Sequence, residues 1–169
     1  MVENSQIGTI AEIAQKVSAE NDRRFRQTST INQLLSERDE VLVEMCGLAD
    51  LSFESADVKA IVDSLKSFSQ TLVDYTALGH FEIYERIIEG KERRVSVSQV
   101  ANRIYPKISE TTKKFVEFND KYEGVDDKES LLGLRDDLFQ LGEAFAERIE
   151  SEDQLLREMS GRSFGAGRR

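Results

Sequence analysis

Apolar residues recur at helical spacing along most of this chain. A first stripe, followed at about 100° per residue, gives way to a polar and basic stretch from residue 21 to residue 27. A second stripe starts at Thr30 and Gln33, which have capping-box spacing, and stops at Gly47. The first stripe comprises Ile7, Ile10, Ile13, Ala14 and Val17; the second comprises Ile31, Leu34, Leu35, Val41, Leu42 and Met45. The pattern predicts a peripheral N-terminal helix, a break and a second helix.

Three longer stretches continue the helical pattern. The clearest extends from Ala56 to Gly79, and a short helical segment follows it. The next extends from Val97 to Tyr122, where Pro106 predicts a kink or a split. Asp126 and a glutamate three residues later have capping-box spacing ahead of the last stretch, which ends near Gly161.

These elements predict an all-α protein. We expect an antiparallel four-helix bundle with an extra N-terminal helix and a short helix after Gly79. The length of 169 residues favours one domain. We therefore expect a single bundle domain over residues 1–161, in which residues 1–28 are a peripheral helix and linker, and a flexible Gly/Arg tail over residues 162–169.

The net charge and the cysteine content limit the partners and the cellular compartment that we expect. The formal net charge is −9, so direct binding to nucleic acid is not expected. The single cysteine, Cys46, cannot form an internal disulfide and fits a reducing compartment. The polar N-terminus lacks the pattern of a signal peptide, and no apolar run approaches membrane-spanning length. We expect a cytoplasmic protein that does not bind membranes.

His80 is the only histidine, which limits the available chemistry. Di-iron and haemerythrin-like bundles need several histidines, and the His-x-x-Lys/Arg-Gly pattern of phosphotransfer bundles is absent. No nucleophile elbow or phosphate-binding glycine loop occurs. We expect no enzyme activity, no cofactor and no metal. His80 is then either a packed, hydrogen-bonded residue or part of a ligand site.

Two charged residues interrupt the apolar stripes. Arg38 lies among Leu34, Leu42 and Met45, and Glu152 lies in line with the apolar residues of the last helix. A charge directed at a core needs a partner, so an Arg38–Glu152 ion pair is expected, with Arg148 as a further member. Such a pair either fixes how the helices meet or lines a polar pocket.

Phe81 and Ile88 raise a second pair of alternatives. If the helix continued past Gly79, both would lie opposite the Leu65/Leu72 core line, on an outer face. An exposed aromatic beside charge is typical of a protein interface. Alternatively, Gly79 turns the chain and Phe81 is buried locally. The polar residues that share the outer face are Asp63, Ser67, Gln70 and Asp74.

Several segments resemble the signature of the regulator of sigma D (Rsd/AlgQ) family. The longest matches are Leu72-Val73-Asp74-Tyr75 and Ala77-Leu78-Gly79-His80-Phe81-Glu82-Ile83-Tyr84-Glu85. Supporting matches are Arg103-Ile104-Tyr105-Pro106, Phe118-Asn119-Asp120, and Gly142-Glu143-Ala144 with Arg148 and Glu152-Asp153. The family's Asp-Arg-Trp-Leu opening differs here, where Asn32-Gln33-Leu34-Leu35 stands.

The resemblance implies an anti-sigma factor. Such a protein binds the C-terminal, promoter-reading domain of the primary sigma factor and keeps it from core RNA polymerase and promoter DNA. It also implies an alternative, an adaptor that docks a sugar-phosphotransferase phosphocarrier or a stringent-response enzyme. On the main hypothesis the sigma-contacting residues are Asp74 and Phe81, with Asp63 and Gln70 beside them. The residues expected to shape an adjoining pocket are His80, Tyr84, Arg38, Arg148 and Glu152.

Overall fold

The computed structural model describes residues 3–51 and 57–161, with side chains from residue 10 onward. This part of the chain is helical and contains no strand, which confirms the all-α fold class. The tail predicted for residues 162–169 lies outside the described residues. The elements are α1 (Glu3–Ala49), α2 (Val58–Gly79), a π-helical turn (His80–Tyr84, the π-turn), α3 (Glu85–Ile88), α4 (Val95–Tyr122), a 3-10 turn (Glu129–Leu131) and α5 (Leu134–Ser160).

α1 is one continuous helix, so the break predicted between residues 21 and 27 is wrong. Neither glycine nor proline occurs between Gly8 and Gly47, so no residue type in this stretch forces the helix to stop. The polar stretch also supports the helix locally, because Arg24 pairs with Glu20 one turn earlier at 2.7 Å. Thr30 therefore lies inside α1 and does not cap a helix N-terminus, despite its capping-box spacing.

The chain divides into two compact units, residues 1–33 and residues 34–169. In the first unit the predicted stripe is present, but Ile10, Ile13 and Val17 are each more than half exposed. The second unit contains the last part of α1 and all later elements. The site residues predicted from the sequence all belong to this second unit.

Aromatic contacts join the long helices of the second unit. Phe68 of α2 meets Phe118 of α4 edge to face, with ring centroids 5.9 Å apart. Phe145 of α5 contacts Tyr75 at 5.5 Å and Phe115 at 5.7 Å. All five rings are buried, and burying a ring of this size contributes about 2 kcal/mol. These rings form the centre of the core.

α4 and α5 are antiparallel neighbours. Tyr122, at the end of α4, bonds to Asp137 at the start of α5, whereas Arg103 near the start of α4 bonds to Gln154 near the end of α5. Pro106 does not split α4; it lies on an exposed face, where solvent can satisfy the carbonyl oxygen that its missing N–H leaves free. The antiparallel arrangement of all four helices stays a prediction.

Two helix boundaries differ from the expected ones. The chain does not turn at Gly79, which has helical dihedral angles (φ −59°, ψ −46°), and helix continues through the π-turn to Ile88. The alternative in which Gly79 turns the chain and buries Phe81 is therefore wrong. At the other boundary Asp127, rather than Asp126, accepts from the Ser130 N–H at 2.8 Å, and α5 begins only after Gly133.

Candidate functional site

A sealed polar cluster lies inside the second unit; we call it the interior cluster, and its members are Arg148, Glu152, Tyr75 and Tyr84. The side chains of Arg148 and Glu152 are 1% and 0% exposed, and Nε of the arginine donates to Oε1 of the glutamate at 2.9 Å. Both tyrosine hydroxyls donate to the Glu152 carboxylate, that of Tyr84 at 3.3 Å. A fully buried charge pair thus receives the extra hydrogen bonds that it needs.

Arg148 has further partners on α4. Its Nη1 donates to Oγ1 of Thr112 at 2.8 Å, to Oγ1 of Thr111 at 3.3 Å and to the Ile108 carbonyl oxygen at 3.3 Å. The guanidinium carbon also lies 5.4 Å from the ring centroid of Phe115. Arg148 therefore ties α4 to α5 through one side chain.

Arg38 reaches the cluster from α1, but not in the expected way. Its Nη1 lies 2.8 Å from Oδ1 of Asp153 and 3.8 Å from Oε2 of Glu152. The predicted Arg38–Glu152 pair exists as the longer of two contacts, and Asp153 is the nearer partner. Glu152 is already occupied by Arg148 and the tyrosines, which leaves the neighbouring, partly exposed carboxylate to Arg38.

The cluster holds its groups in fixed protonation states. Burial, and after it the negative charge of Glu152, raises the pKa of Tyr75 and of Tyr84 well above the usual value. Burial is the largest single influence and would lower the pKa of Arg148, but Glu152, Tyr75 and Tyr84 together outweigh it and the pKa of Arg148 is raised. The hydroxyls stay protonated and the guanidinium stays charged, an arrangement suited to holding helices rather than to proton transfer near neutral pH.

His80 is not part of this cluster, which corrects the pocket predicted from the sequence. It is exposed, and its ring contacts Phe81 edge to face with centroids 4.9 Å apart. His80 and Phe81 are exposed at the start of the π-turn, whereas Ile83 and Tyr84 are buried at its end. His80 is also not packed in the core, and its side chain forms no hydrogen bond with the described residues.

The four residues expected to contact sigma all lie on the surface, and we call them the outer face: Asp63, Gln70, Asp74 and Phe81. Phe81 is 58% exposed, so its ring is available for contact with a partner, as are several other exposed apolar side chains of the described region. Gln70 Nε2 donates to Oδ1 of Asp74 at 2.9 Å, and Asp63 pairs with Lys59 at 3.0 Å. The structure therefore presents a carboxylate and an aromatic ring along one helical path.

The described residues also bear on metal binding and on membrane insertion. They contain no group of three or more His, Cys, Asp or Glu side chains placed to hold a metal ion. None of their helices is long and apolar enough to cross a membrane. The interior cluster has polar groups but is filled by its own side chains.

Helical spacing predicted no polar role for Tyr75 of the interior cluster, for Thr111 and Thr112, which Arg148 contacts, or for Asp153, the nearer partner of Arg38. Tyr75 contributes its apolar ring to the core, and its buried hydroxyl needs a partner, which Glu152 provides. Thr111 follows the Ile104/Ile108 stripe and is fully buried, a polar residue at an apolar position. That exception was the available signal.

The fold and the site define an all-α protein with a buried, hydrogen-bonded Arg–Glu pair in its helical core. Its candidate contact residues lie on the surface. The family model described as "Regulator of RNA polymerase sigma(70) subunit, Rsd/AlgQ" matches residues 13–160. The chain belongs to this family, which confirms the resemblance noted in its sequence.

Two relatives named "Regulator of sigma D" support the assignment to this family. The chain is 29% identical over 153 residues to the "Regulator of sigma D" of Yersinia enterocolitica, an alignment that covers 89% of this chain and 87% of the relative. It is 36% identical over 94 residues to that of an Enterobacter species, covering 55% and 56% of the two chains. No solved structure shows a significant match.

Proposed function

We propose that this protein is a non-catalytic anti-sigma factor that acts in the cytoplasm. It binds the C-terminal, promoter-reading domain of the primary sigma factor and so keeps sigma from core RNA polymerase and from promoter DNA. The observation that carries the proposal is the outer face, where Asp74 and the 58% exposed Phe81 lie along one continuous helical path. Family membership supplies sigma as the partner.

Charge and shape both suit such a partner. A promoter-reading helix-turn-helix domain is basic because it contacts phosphates, and an acidic protein of net charge −9 attracts it at long range. Asp74 can pair with a basic side chain of the partner that would otherwise contact a DNA phosphate. Phe81 can fill an apolar pocket on the partner. An aromatic anchor beside a carboxylate gives both affinity and orientation.

The interior cluster holds this face in place. Asp74 directly precedes Tyr75, and Phe81 shares the π-turn with Tyr84; both tyrosines bond to Glu152. Because the backbone of each contact residue is fixed by a buried neighbour, little freedom remains to be lost on binding. The cluster thus serves the function through rigidity, without touching the partner.

The test is calorimetric titration with the isolated C-terminal domain of the primary sigma factor at low and moderate salt. We expect a one-to-one complex that weakens with salt but persists, since part of the contact is apolar. Asp74→Ala should raise the Kd about tenfold, a loss typical of a contacting charge. Asp136→Ala, which removes an exposed carboxylate from α5, is the matched control.

Binding that is unchanged by Asp74→Ala would contradict the assignment of the outer face. No binding of wild-type protein at either salt concentration would contradict the anti-sigma function itself. The adaptor alternative, with a phosphocarrier or stringent-response protein as partner, would then be tested next by titration with those proteins.

A further inference from the structure

A groove of about 490 Å³ lies between α2 and the end of α4, beside the outer face. Its apolar wall comes from Val62, Leu65 and Val73 of α2. Gln70 belongs both to the lining of this groove and to the outer face, where it bonds to Asp74. A partner bound over Asp74 would therefore extend naturally across the groove.

Two carboxylates on the other side of the groove differ from their neighbours. Glu110 and Glu117 of α4 each pair with lysines of the same helix. Asp120 and Glu123, which line the groove, form no ion pair with any described residue. Since α4 ends at Tyr122, the partial negative charge of its C-terminus adds to theirs.

Asn119 and Lys66 complete the polar part of the lining. Asn119 lines the groove, and its Oδ1 is buried and accepts no hydrogen bond from the described residues. Lys66 is exposed and is the basic residue of the lining. The positive charge of Lys66 does not balance the carboxylates of Asp120 and Glu123 and the partial negative charge at the end of α4. The groove therefore favours a positively charged occupant.

We propose that this groove receives an arginine or lysine side chain from the bound sigma domain, an inference that rests on the proposed function. The aliphatic stem packs along Val62, Leu65 and Val73, and the cationic end lies between Asp120 and Glu123. The groove is thus a second contact point beside Asp74 and Phe81, and it selects partners that carry a basic side chain at the matching position.

The test compares two double variants with the same change in charge. Asp120→Asn/Glu123→Gln should raise the Kd for the sigma domain about tenfold, whereas Glu110→Gln/Glu117→Gln, on the same helix but outside the groove, should change it less than about twofold. Both pairs are exposed, so thermal unfolding should report folded protein in each case.

The sign of the occupant's charge has its own test. Lys66→Gln should tighten binding about two- to threefold, because it removes the like charge from the groove. Lys113→Gln, outside the groove, is its control. Weaker binding by Lys66→Gln together with tighter binding by the Asp120/Glu123 variant would show an anionic occupant and overturn the proposal.

Glutamine substitutions of the sigma domain's basic residues, taken one at a time, identify the occupant. One of them should cost affinity with wild-type protein but little more with the Asp120→Asn/Glu123→Gln variant. Equal affinities for the two double variants would overturn the groove proposal while an effect of Asp74→Ala left the proposed function intact. No sigma binding by wild-type protein would overturn the proposed function and the groove proposal together.

Discussion

Asp74 and Tyr75 are consecutive residues, and Phe81 and Tyr84 share the π-turn, yet each pair is divided between two regions of the molecule. The tyrosines enter the interior cluster and bond to Glu152. Asp74 and Phe81 lie on the outer face, exposed to solvent. The same few turns of helix therefore supply both the rigid support and the surface that is free to bind.

The two regions should respond differently to mutation. In the interior cluster each polar group satisfies another, so removing one leaves its partners buried and unpaired. On the outer face a removed side chain leaves only solvent-exposed neighbours, and folding hardly changes. Loss of stability should mark the first region, and loss of binding the second.

The largest effect is expected from Glu152→Ala. It leaves Arg148 without its buried counter-charge and two tyrosine hydroxyls without an acceptor, so the free energy of unfolding should fall by about 3–5 kcal/mol. Urea unfolding measures the change. Glu150→Ala, exposed on the same helix, should stay within about 0.5 kcal/mol. A decrease smaller than about 1 kcal/mol for Glu152→Ala would contradict this expectation and show that other groups compensate the charge of Arg148.

Phe81→Ala should show the opposite behaviour. We expect it to weaken sigma binding by about 2 kcal/mol, about 30-fold in Kd, because it removes a central aromatic anchor. The melting temperature should stay near that of the wild type, since the ring is 58% exposed. Phe139→Ala, which removes an even more exposed ring from α5, provides the control. A loss of stability without a loss of affinity would reverse the assignment.

Tyr84→Phe sharpens the comparison through pH. Removing its hydrogen bond to Glu152 should cost about 1 kcal/mol near neutral pH. The folded protein raises the pKa of Tyr84 above its unfolded value near 10, so this stabilisation is complete below about pH 10 and is lost as the pH rises through the folded pKa. Unfolding curves should therefore show a shallower alkaline loss in Tyr84→Phe than in the wild type or in the exposed-site variant Tyr105→Phe. Identical alkaline limbs would contradict burial of this hydroxyl.

The smallest effect is expected from His80→Ala. Its ring is exposed, so the free energy of unfolding should change by less than about 0.5 kcal/mol. The same variant tests the alternative in which His80 is part of a ligand site, here a module that accepts a phosphoryl group. Uptake of phosphate from a labelled phosphocarrier by wild-type protein, abolished in His80→Ala, would support that module and contradict a purely sequestering protein.

Helical periodicity was enough to predict the all-α fold class, whereas it left open whether the helix continues past Gly79 and exposes Phe81. It also placed Arg148 and Glu152 one turn apart, a spacing that allows their ion pair. These features depend on positions within one helix. Sequence spacing carries that information directly.

The failures depend on contacts or backbone changes that spacing does not encode. The pocket role of His80 came from the family resemblance and had no support from helical spacing; the structure exposes His80 and buries Tyr84, at the other end of the π-turn. The choice of Asp153 over Glu152 as the near partner of Arg38 is decided by which carboxylate is already occupied. The capping-box spacing at Thr30 was overridden because nothing in α1 interrupts the helix.

The central claim is sequestration through the outer face, and competition with core RNA polymerase tests it most directly. Labelled full-length primary sigma factor is mixed with core enzyme while this protein is added, and the fraction of sigma bound to core is measured by anisotropy. We predict that wild-type protein displaces sigma from core, and that Phe81→Ala needs about 30 times the free concentration of wild-type protein for half displacement. Sigma that stays bound to core at saturating wild-type protein would contradict the account.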